Sequence, residues 1–174
     1  EANLSADSYA GIGLYKSVNF GTSWRLVAGS AKTGIPTRIG AIAVDPFDSA
    51  RVMLGGVSHA FDDLSPSSGG LYLSADAGTT WTRLGFISAN NYWCHHVEFH
   101  PARKGWIFTA VTENGIKNGI WLSKDGGGAW QQCTAGLPSP DQFGRTRLAI
   151  SPSQPDTIYA IAARANSDAL LGIF

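Results

Sequence analysis

The sequence lacks an excess of charge of either sign, and it contains no long apolar run. Its 13 lysine and arginine residues balance 13 aspartate and glutamate residues. Nucleic-acid-binding domains usually carry a basic excess, so we expect no nucleic-acid partner. No apolar run approaches the roughly 18 residues that cross a bilayer, so we expect no membrane span. What remains is a globular chain in which 44% of the residues are apolar.

Cysteine is also scarce. Cys94 and Cys133 are the only two in the sequence, and their separation does not match a metal-binding motif. A disulfide between them is one interpretation, and two buried free thiols are the favoured one. We expect no metal and no cofactor.

Glycine and tryptophan, by contrast, recur in a repeated phrase. The phrase reads GLYKSVNFGTSW at residues 13–24, GLYLSADAGTTW at 70–81 and GIWLSKDGGGAW at 119–130, and a further copy starts at 172. The starts at 13, 70 and 119 give steps of 57 and 49 residues. A period of about 50 residues built from strand-like segments is typical of β-propeller blades.

Each part of the phrase has a structural explanation. Gly-Leu-Tyr-x-Ser alternates apolar and polar residues, as a half-buried strand does. The acidic residue, Asp76 or Asp125, can accept backbone N–H groups ahead of it and close a turn, and Asn19 can do the same without a charge. The following glycine tolerates positive φ. The final residues, Trp24, Trp81 and Trp130, are expected to be buried between neighbouring blades.

A second phrase lies between the copies of the first. It is an apolar run that ends in a polar residue and proline, at residues 39–46, 96–101 and 148–152, and a further strand follows each copy. Proline fits the turn after a strand because it cannot donate to a central ladder. The sequence therefore predicts an all-β propeller of four-stranded antiparallel blades. The predicted segments are 1–37 (third and outer strands of a first blade), 38–94, 95–145 and 146–174 (start of a fourth).

The spelling Ser-x-Asp-x-Gly-x-x-Trp resembles the Asp-box, or BNR repeat, of sialidases, xyloglucan-cleaving hydrolases, sortilin-type receptors and photosystem assembly factors. The resemblance covers three copies in register and implies a propeller in which the box is a structural turn at the rim. It therefore implies no ligand role for Asn19, Asp76 or Asp125. It also suggests a secreted or cell-envelope protein.

About three blades are present, whereas propellers usually have at least four. We expect the remaining blades to come from a longer form of the same protein, with completion by another chain as the alternative. Glu1-Ala-Asn looks like the start of a mature or trimmed chain.

The predicted strand order places the long connections on the face opposite the boxes, and binding residues concentrate in such loops. Equivalent positions of consecutive blades meet around one channel. We therefore predict a ligand site at one mouth of that channel, made of Arg38, Tyr92, Trp93, His95, His96, Arg145 and Arg147. Trp93 offers a stacking surface, and the arginines and histidines offer hydrogen bonds to a neutral or anionic glycan or a polar peptide. Alternation along a strand separates His95 from His96 and His100, which is poor geometry for a metal.

Three functions fit these observations. The favoured one is a non-catalytic propeller segment that presents this face to a glycan or a protein. The second is part of a glycan-cleaving hydrolase, for which a pair of carboxylates is required. The loop acids on this face are Asp62, Asp63, Glu113, Asp141 and Asp168. Xyloglucanase type is favoured over sialidase type, because His95 and His96 stand where a third arginine is expected. The third function is a structural or assembly subunit.

Overall fold

The computed structural model describes residues 11–28, 35–36, 38–57, 69–85, 92–112, 115–167 and 169–174. Within them the chain forms four antiparallel sheets in sequence order. The first holds β1 (Leu14–Lys16) and β2 (Arg25–Ala28), and the second holds β3 (Ile39–Asp45), β4 (Asp48–Gly56), β5 (Gly70–Ser74) and β6 (Thr82–Leu84). The third holds β7 (Trp93–Phe99), β8 (Ile107–Thr112), β9 (Gly119–Ser123) and β10 (Gln131–Cys133). The fourth holds β11 (Phe143–Ile150), β12 (Ile158–Arg164) and β13 (Leu170–Ile173).

Each sheet is a simple up-and-down meander, in which every strand pairs with the next one in the sequence. The only helical segments in the described ranges are two short 3₁₀ turns, Gly115–Lys117 and Pro140–Gln142. None of the helical segments described has the length and apolar character needed to cross a membrane. The predicted all-β architecture of four-stranded antiparallel blades is confirmed.

The box forms the turn from the third to the outer strand of each blade. In the second sheet, one carboxylate oxygen of Asp76 accepts hydrogen bonds from the Ser74 hydroxyl at 2.8 Å and from the backbone N–H groups of Thr79 and Thr80 at 3.0 and 2.8 Å. The other oxygen accepts the Thr80 hydroxyl at 2.6 Å. The Ser74 hydroxyl oxygen accepts the Gly78 N–H at 2.9 Å. These side-chain bonds all lie within the turn, and one backbone bond, from the Ala77 N–H to the Ala50 carbonyl oxygen at 2.8 Å, ties it to the neighbouring hairpin.

The other two copies build the same turn. Asp125 accepts the Ser123 hydroxyl at 2.8 Å and the Gly128 and Ala129 N–H groups at 3.0 and 2.9 Å. The Asn19 side-chain oxygen accepts the Ser17 hydroxyl and the Ser23 N–H, both at 3.0 Å. The amide oxygen of asparagine thus replaces the carboxylate, and the predicted structural role of the box is the one seen.

The turn between the first two strands of each blade also has a repeated cap. The Asp45 carboxylate accepts the Phe47 N–H at 2.9 Å, and the Ser151 hydroxyl accepts the Gln154 N–H at 3.2 Å. His100 Nδ1 accepts the N–H groups of Ala102 and Arg103 at 3.1 and 3.0 Å. Three different side chains therefore do one task, which explains why the position before proline is polar in every copy.

The apolar core lies between the sheets. Met53 and Leu71 of the second sheet pack with Cys94, Val97 and Ile107 of the third, and all five are fully or almost fully buried. A second cluster joins the third and fourth sheets and a third joins the first and second. Stacked sheets that share their cores in this way are the packing of a propeller.

The tryptophans of the box occupy these junctions unequally. Trp81 and Trp130 are half-buried, and each packs against the junction with the preceding sheet. Trp24 is 63% exposed, so the prediction that it is largely buried is wrong. The reason is geometric: each box packs backward onto the sheet before it, and no sheet precedes the box of Trp24 among the described residues.

Replacing Asp76 by alanine should lower the melting temperature of the chain by several degrees, because two backbone N–H groups and two hydroxyls lose their acceptor. Asp76→Asn should lose much less, since Asn19 builds the same turn. Hydrogen bonds, first from the Thr80 side chain, lower the pKa of Asp76 from 3.8 to about 2. The stabilisation is therefore complete above pH 3.8 and is lost as the pH falls through about 2.

Thermal melts of the wild type and both variants across this pH range measure the effect. Ligand binding by folded Asp76→Ala should be unchanged. An Asp76→Ala variant that kept its melting temperature but lost binding would contradict the structural role of the box.

Candidate functional site

The first strands of the three larger sheets, β3, β7 and β11, lie side by side where the sequence predicts the channel. Each has an irregularity in its pairing near its first residues, between Ile39 and Ala41 in β3, between Cys94 and His96 in β7, and between Phe143 and Thr146 in β11. Bulges of this kind re-aim side chains and are frequent next to binding sites. A break in the strand register therefore recurs near the start of the inner strand in three consecutive blades.

His95 is the extra residue of the β7 bulge. It has no partner in the β8 register, and it is only 2% exposed. Burial, followed by the positive charges of Arg145 and Arg147, lowers the pKa of His95 to about 3. Its imidazole is therefore neutral at physiological pH. The half-buried ring of Trp93 meets the ring of His95 edge-on, with centroids 6.0 Å apart.

His96 faces the channel and contacts an acidic neighbour. Its Nε2 lies 3.3 Å from a carboxylate oxygen of Glu98, two residues farther along β7. Burial lowers the pKa of His96, with Glu98 opposing the effect and Arg147 adding to it. Glu98 was not among the residues predicted from the sequence, although the spacing from His96 to Glu98 is that of one strand face.

Arg145 and Arg147 come from the start of β11, which packs against β7. Burial and the charge of Arg145 lower the pKa of Arg147. Arg145 and Arg147 of β11 therefore lie on the strand beside His95 and His96 of β7, and their charges reach His95. Trp93 contacts the ring of His95. We call Trp93, His95, His96, Arg145 and Arg147 the mouth cluster.

Arg38 lies one residue before β3, at the same end of the channel. Its carbonyl oxygen accepts the Val57 N–H at 2.9 Å, which fixes the entry into the strand. Two residues later, the β-carbon that a side chain at Gly40 would add falls 2.9 Å from the Cys94 oxygen and 3.5 Å from the His95 Cα. The start of β3 is therefore pressed against the β7 bulge.

Tyr92 differs from the others, since its side chain is fully buried. Its hydroxyl accepts the Leu71 N–H at 3.2 Å and donates to the Leu84 carbonyl oxygen at 3.1 Å. Burial raises the pKa of Tyr92 to about 12. The expected position on the ligand face is corrected here: Tyr92 joins the second sheet to the third, and its ring packs with Val111 and Trp121.

An open groove of about 520 Å³ runs along the three inner strands. The later parts of β3, β7 and β11 line it, and His96 is the member of the mouth cluster that it reaches. Ile42 and Val44, both about half exposed, supply apolar surface, and Glu98 supplies a carboxylate. Apolar surface beside a few polar groups is a combination found in ligand sites.

The cysteines and the histidines form no metal centre in the described part of the chain, where no group of three or more His, Cys, Asp or Glu side chains could hold an ion. Both thiols are free, Cys94 buried and Cys133 half-buried. Burial raises the pKa of Cys94 to about 11, and its sulfur lies 2.9 Å from the Thr109 hydroxyl. Of the loop acids predicted from the sequence, Asp62, Asp63, Glu113 and Asp168 lie outside the described residues, and Asp141 lies in the 3₁₀ turn before β11.

The chain resembles known proteins over almost its whole length. The chain is 27% identical over 178 residues to the xyloglucanase of Hypocrea jecorina (strain QM6a), a match that covers 91% of this chain and 20% of that enzyme. Among solved structures, an ancestral GH74 enzyme superposes with a TM-score of 0.64 at 20% identity, over 90% of this chain and 20% of the other. YCF48 bound to D1 peptide gives 0.54 at 15% identity, over 90% and 42%.

These likenesses are to propeller segments, and the chain spans about a fifth of the length of the xyloglucanase. The structural neighbours share the fold. Residues 13–170 match the family model described as Sortilin, neurotensin receptor 3. That match runs from the first box to the last strand, so the chain belongs to the Sortilin-Vps10 family of Asp-box propellers.

Proposed function

We propose that this chain is a non-catalytic segment of an Asp-box propeller that binds a glycan across the mouth cluster. The observation that carries the proposal is that β7, with Trp93 and His96, packs against β11, with Arg145 and Arg147, beside the inner groove that His96 lines. An aromatic face, the partly exposed imidazole of His96 and two guanidinium groups are the chemistry that holds a sugar by stacking and directional hydrogen bonds, with the buried His95 ring supporting them from beneath.

The protonation states support a mixed site. The imidazoles of His95 and His96 have lowered pKa values and are uncharged at neutral pH. His96 is the partly exposed one, and a neutral imidazole can donate from one nitrogen and accept at the other, which matches hydroxyl groups. The positive charge of the mouth cluster then comes from Arg145 and Arg147. A neutral or acidic glycan therefore fits better than a basic peptide.

Binding is favoured over cleavage because the described inner strands do not present two carboxylates to the groove. Asp45 is 3% exposed and caps a turn, whereas Glu98 reaches the groove and contacts His96. Hydrolysis of a glycosidic bond usually needs two acidic groups facing each other across that bond. Glu98 alone supplies one of them.

A second candidate is a portion of a glycan-cleaving hydrolase, and the similarity to a xyloglucanase favours it. In that case the acids come from the loops that include Asp62, Asp63, Glu113 and Asp168, or from further blades. A secreted location accompanies either proposal, since both place a polysaccharide at the site. An assembly or structural subunit is the remaining alternative, in which another chain completes the ring.

The experiment compares Trp93→Ala and Arg147→Ala with the wild type. A glycan array selects the ligand class, and titration calorimetry with xyloglucan and acidic oligogalacturonide oligosaccharides measures affinity. Loss of a partly exposed tryptophan surface should weaken binding about tenfold, since burying such a face contributes on the order of 1–3 kcal/mol. Arg147→Ala should weaken the acidic ligand more than the neutral one.

Asp76→Ala is the control, because its box is far from the channel mouth and only stability should change. Reducing-end assays on the same oligosaccharides should show no cleavage by the chain. Unchanged affinity in Trp93→Ala and Arg147→Ala would refute the binding site. Release of reducing ends would refute the non-catalytic role and support the second candidate, a glycan-cleaving hydrolase.

A further inference from the structure

A second cavity lies beside the mouth cluster, at the junction of the third and fourth blades. It has a volume of about 260 Å³ and is bounded by the two 3₁₀ turns and the turn that follows β12. Its polar lining residues are Asn118, Asp141 and Asn166, with Phe143 and Gly144 behind them. Gly144, which lines the cavity, directly precedes Arg145 of the mouth cluster, so the cavity wall and the cluster are joined at the start of β11.

The floor of the cavity is rigidly held. Asn118 is 6% exposed, and its side-chain amide donates to the Phe143 carbonyl oxygen at 3.0 Å. The Asn118 carbonyl oxygen accepts the Gln132 side-chain amide at 2.8 Å. The Phe143 ring is buried and lies 6.0 Å from the ring of Phe174. These contacts join the residue after the first 3₁₀ turn, Gly115–Lys117, to β10 and β11. The cavity is therefore formed by the fold itself and needs no ligand to form.

Two polar side chains at the rim of the cavity, Asp141 and Asn166, can form further hydrogen bonds. One carboxylate oxygen of Asp141 accepts the Ser139 hydroxyl, which leaves the other oxygen available. The side chain of Asn166 makes no hydrogen bond to another described residue, and its backbone is in the left-handed region with φ 56°. Asparagine tolerates this conformation better than most residues, so the position combines a fixed backbone with an exposed amide.

We propose that this cavity is a subsite for a single neutral sugar ring, whose vicinal hydroxyls bond to Asp141 and Asn166. A hydroxyl both donates and accepts, so a carboxylate beside an amide matches a pair of adjacent hydroxyls. The volume lies just below the roughly 300–1,000 Å³ of sites for drug-sized ligands, which suits one ring of a longer chain. The inference rests on the proposed glycan binding at the mouth cluster and extends it outward by one sugar.

A calcium ion is the competing occupant, and the structure favours it less. Calcium takes six to eight oxygen ligands, often from several carboxylates. Here Asp141 is the one acidic side chain among the described residues that line the cavity, and no cluster of three potential metal-binding side chains occurs among the residues described.

The test uses Asn166→Gly and Asp141→Ala in the whole chain. Glycine at 166 removes the amide while keeping the left-handed backbone free of strain. Titration calorimetry with cello- and xyloglucan oligosaccharides of increasing length should show both variants binding the long ligands about five- to tenfold more weakly, as the loss of a hydrogen bond to the ligand predicts. The shortest ligands, held at the mouth cluster alone, should bind as to the wild type.

Gln142→Ala is the matched control, because Gln142 is an exposed neighbour in the same 3₁₀ turn and does not line the cavity. Thermal melts confirm that each variant is folded. A direct readout comes from the side-chain amide signals of Asn166 in ¹H–¹⁵N spectra, assigned by their absence in Asn166→Gly. They should move on addition of a long oligosaccharide.

The outcomes separate the two proposals. If Trp93→Ala loses binding while Asn166→Gly and Asp141→Ala bind every ligand length as the wild type does, the subsite is refuted and the mouth cluster stands. If the wild type binds none of the oligosaccharides, both are refuted. If CaCl₂ alone moves the Asn166 amide signals, the cavity is a cation site and the sugar assignment is overturned.

Discussion

Substituting alanine for Gly55 will destabilise the junction of the second and third blades by about 2–3 kcal/mol, as overpacking of a close contact does. The β-carbon of alanine would fall 2.5 Å from the Cys94 carbonyl oxygen and 2.8 Å from its sulfur. The nearer atom belongs to the backbone, so no side-chain rotation can relieve the clash. Gly55 is buried on β4, where that strand packs against β7.

Gly85→Ala is the control for this change. A β-carbon at Gly85 would meet no atom within 4 Å, and its φ lies outside the left-handed range. That substitution should be neutral or stabilise the chain by a few tenths of a kcal/mol, because alanine restricts the unfolded chain. Urea-induced unfolding of both variants measures the difference. Equal midpoints for Gly55→Ala and Gly85→Ala would show that the blades do not approach as closely as described.

Acidification from pH 6.5 to 3 will weaken the fold through His95. In the unfolded chain the imidazole takes a proton near the ordinary pKa of 6.5, whereas in the folded chain burial and two arginines hold its pKa near 3. Between these values the unfolded state binds more protons, so stability falls as the pH falls. The full shift corresponds to a loss of about 4 kcal/mol at pH 3, and the stabilisation is intact above pH 6.5.

His95→Gln should flatten the pH dependence of the unfolding free energy between pH 6.5 and 4. His96→Gln should flatten it to a smaller degree, because the pKa of His96 is lowered too and Glu98 opposes the shift. Asp76→Asn is the control, since its effect is confined to pH below 3.8. Urea titrations at half-unit pH steps provide the measurement. A wild-type stability that stays constant from pH 6.5 to 4 would contradict the buried, neutral state of His95.

Most of the fold was predictable because repeated, short-range interactions specify it. Ser74, Asp76 and Gly78 specify one turn through bonds that span at most four residues, and the spacing of the copies specifies the blades. The exposure of Trp24 was not predictable on that basis. It depends on which side of a box the neighbouring sheet packs, and that is a tertiary fact.

The sequence indicated which strand ends would be neighbours, but not the geometry of the candidate site. Radial repetition predicted that His95 and His96 would lie near Arg145 and Arg147, and β7 does pack against β11. Ligand binding by these residues and by Arg38 stays a prediction. The bulge in β7 could not be read from alternation, because an extra residue shifts the side chains that precede it to the other face.

The position of Tyr92 could not be predicted from the sequence either. Tyrosine suits a stacking surface and a blade junction equally well, and only the positions of the Leu71 N–H and the Leu84 carbonyl decide between them. Glu98 is the opposite case, in which strand alternation from His96 was sufficient to identify it.

The local side-chain bonds of the box have a consequence for how the chain folds. They join residues two to four positions apart, whereas the bond from the Arg51 guanidinium to the carbonyl oxygen of Gly126, in the third box, spans 75 residues. Closing a short loop is fast and closing a long one is slow. Each hairpin can therefore form on the microsecond scale before any blade has docked. The blades then assemble from preformed hairpins, and the docking of neighbouring blades limits the folding rate.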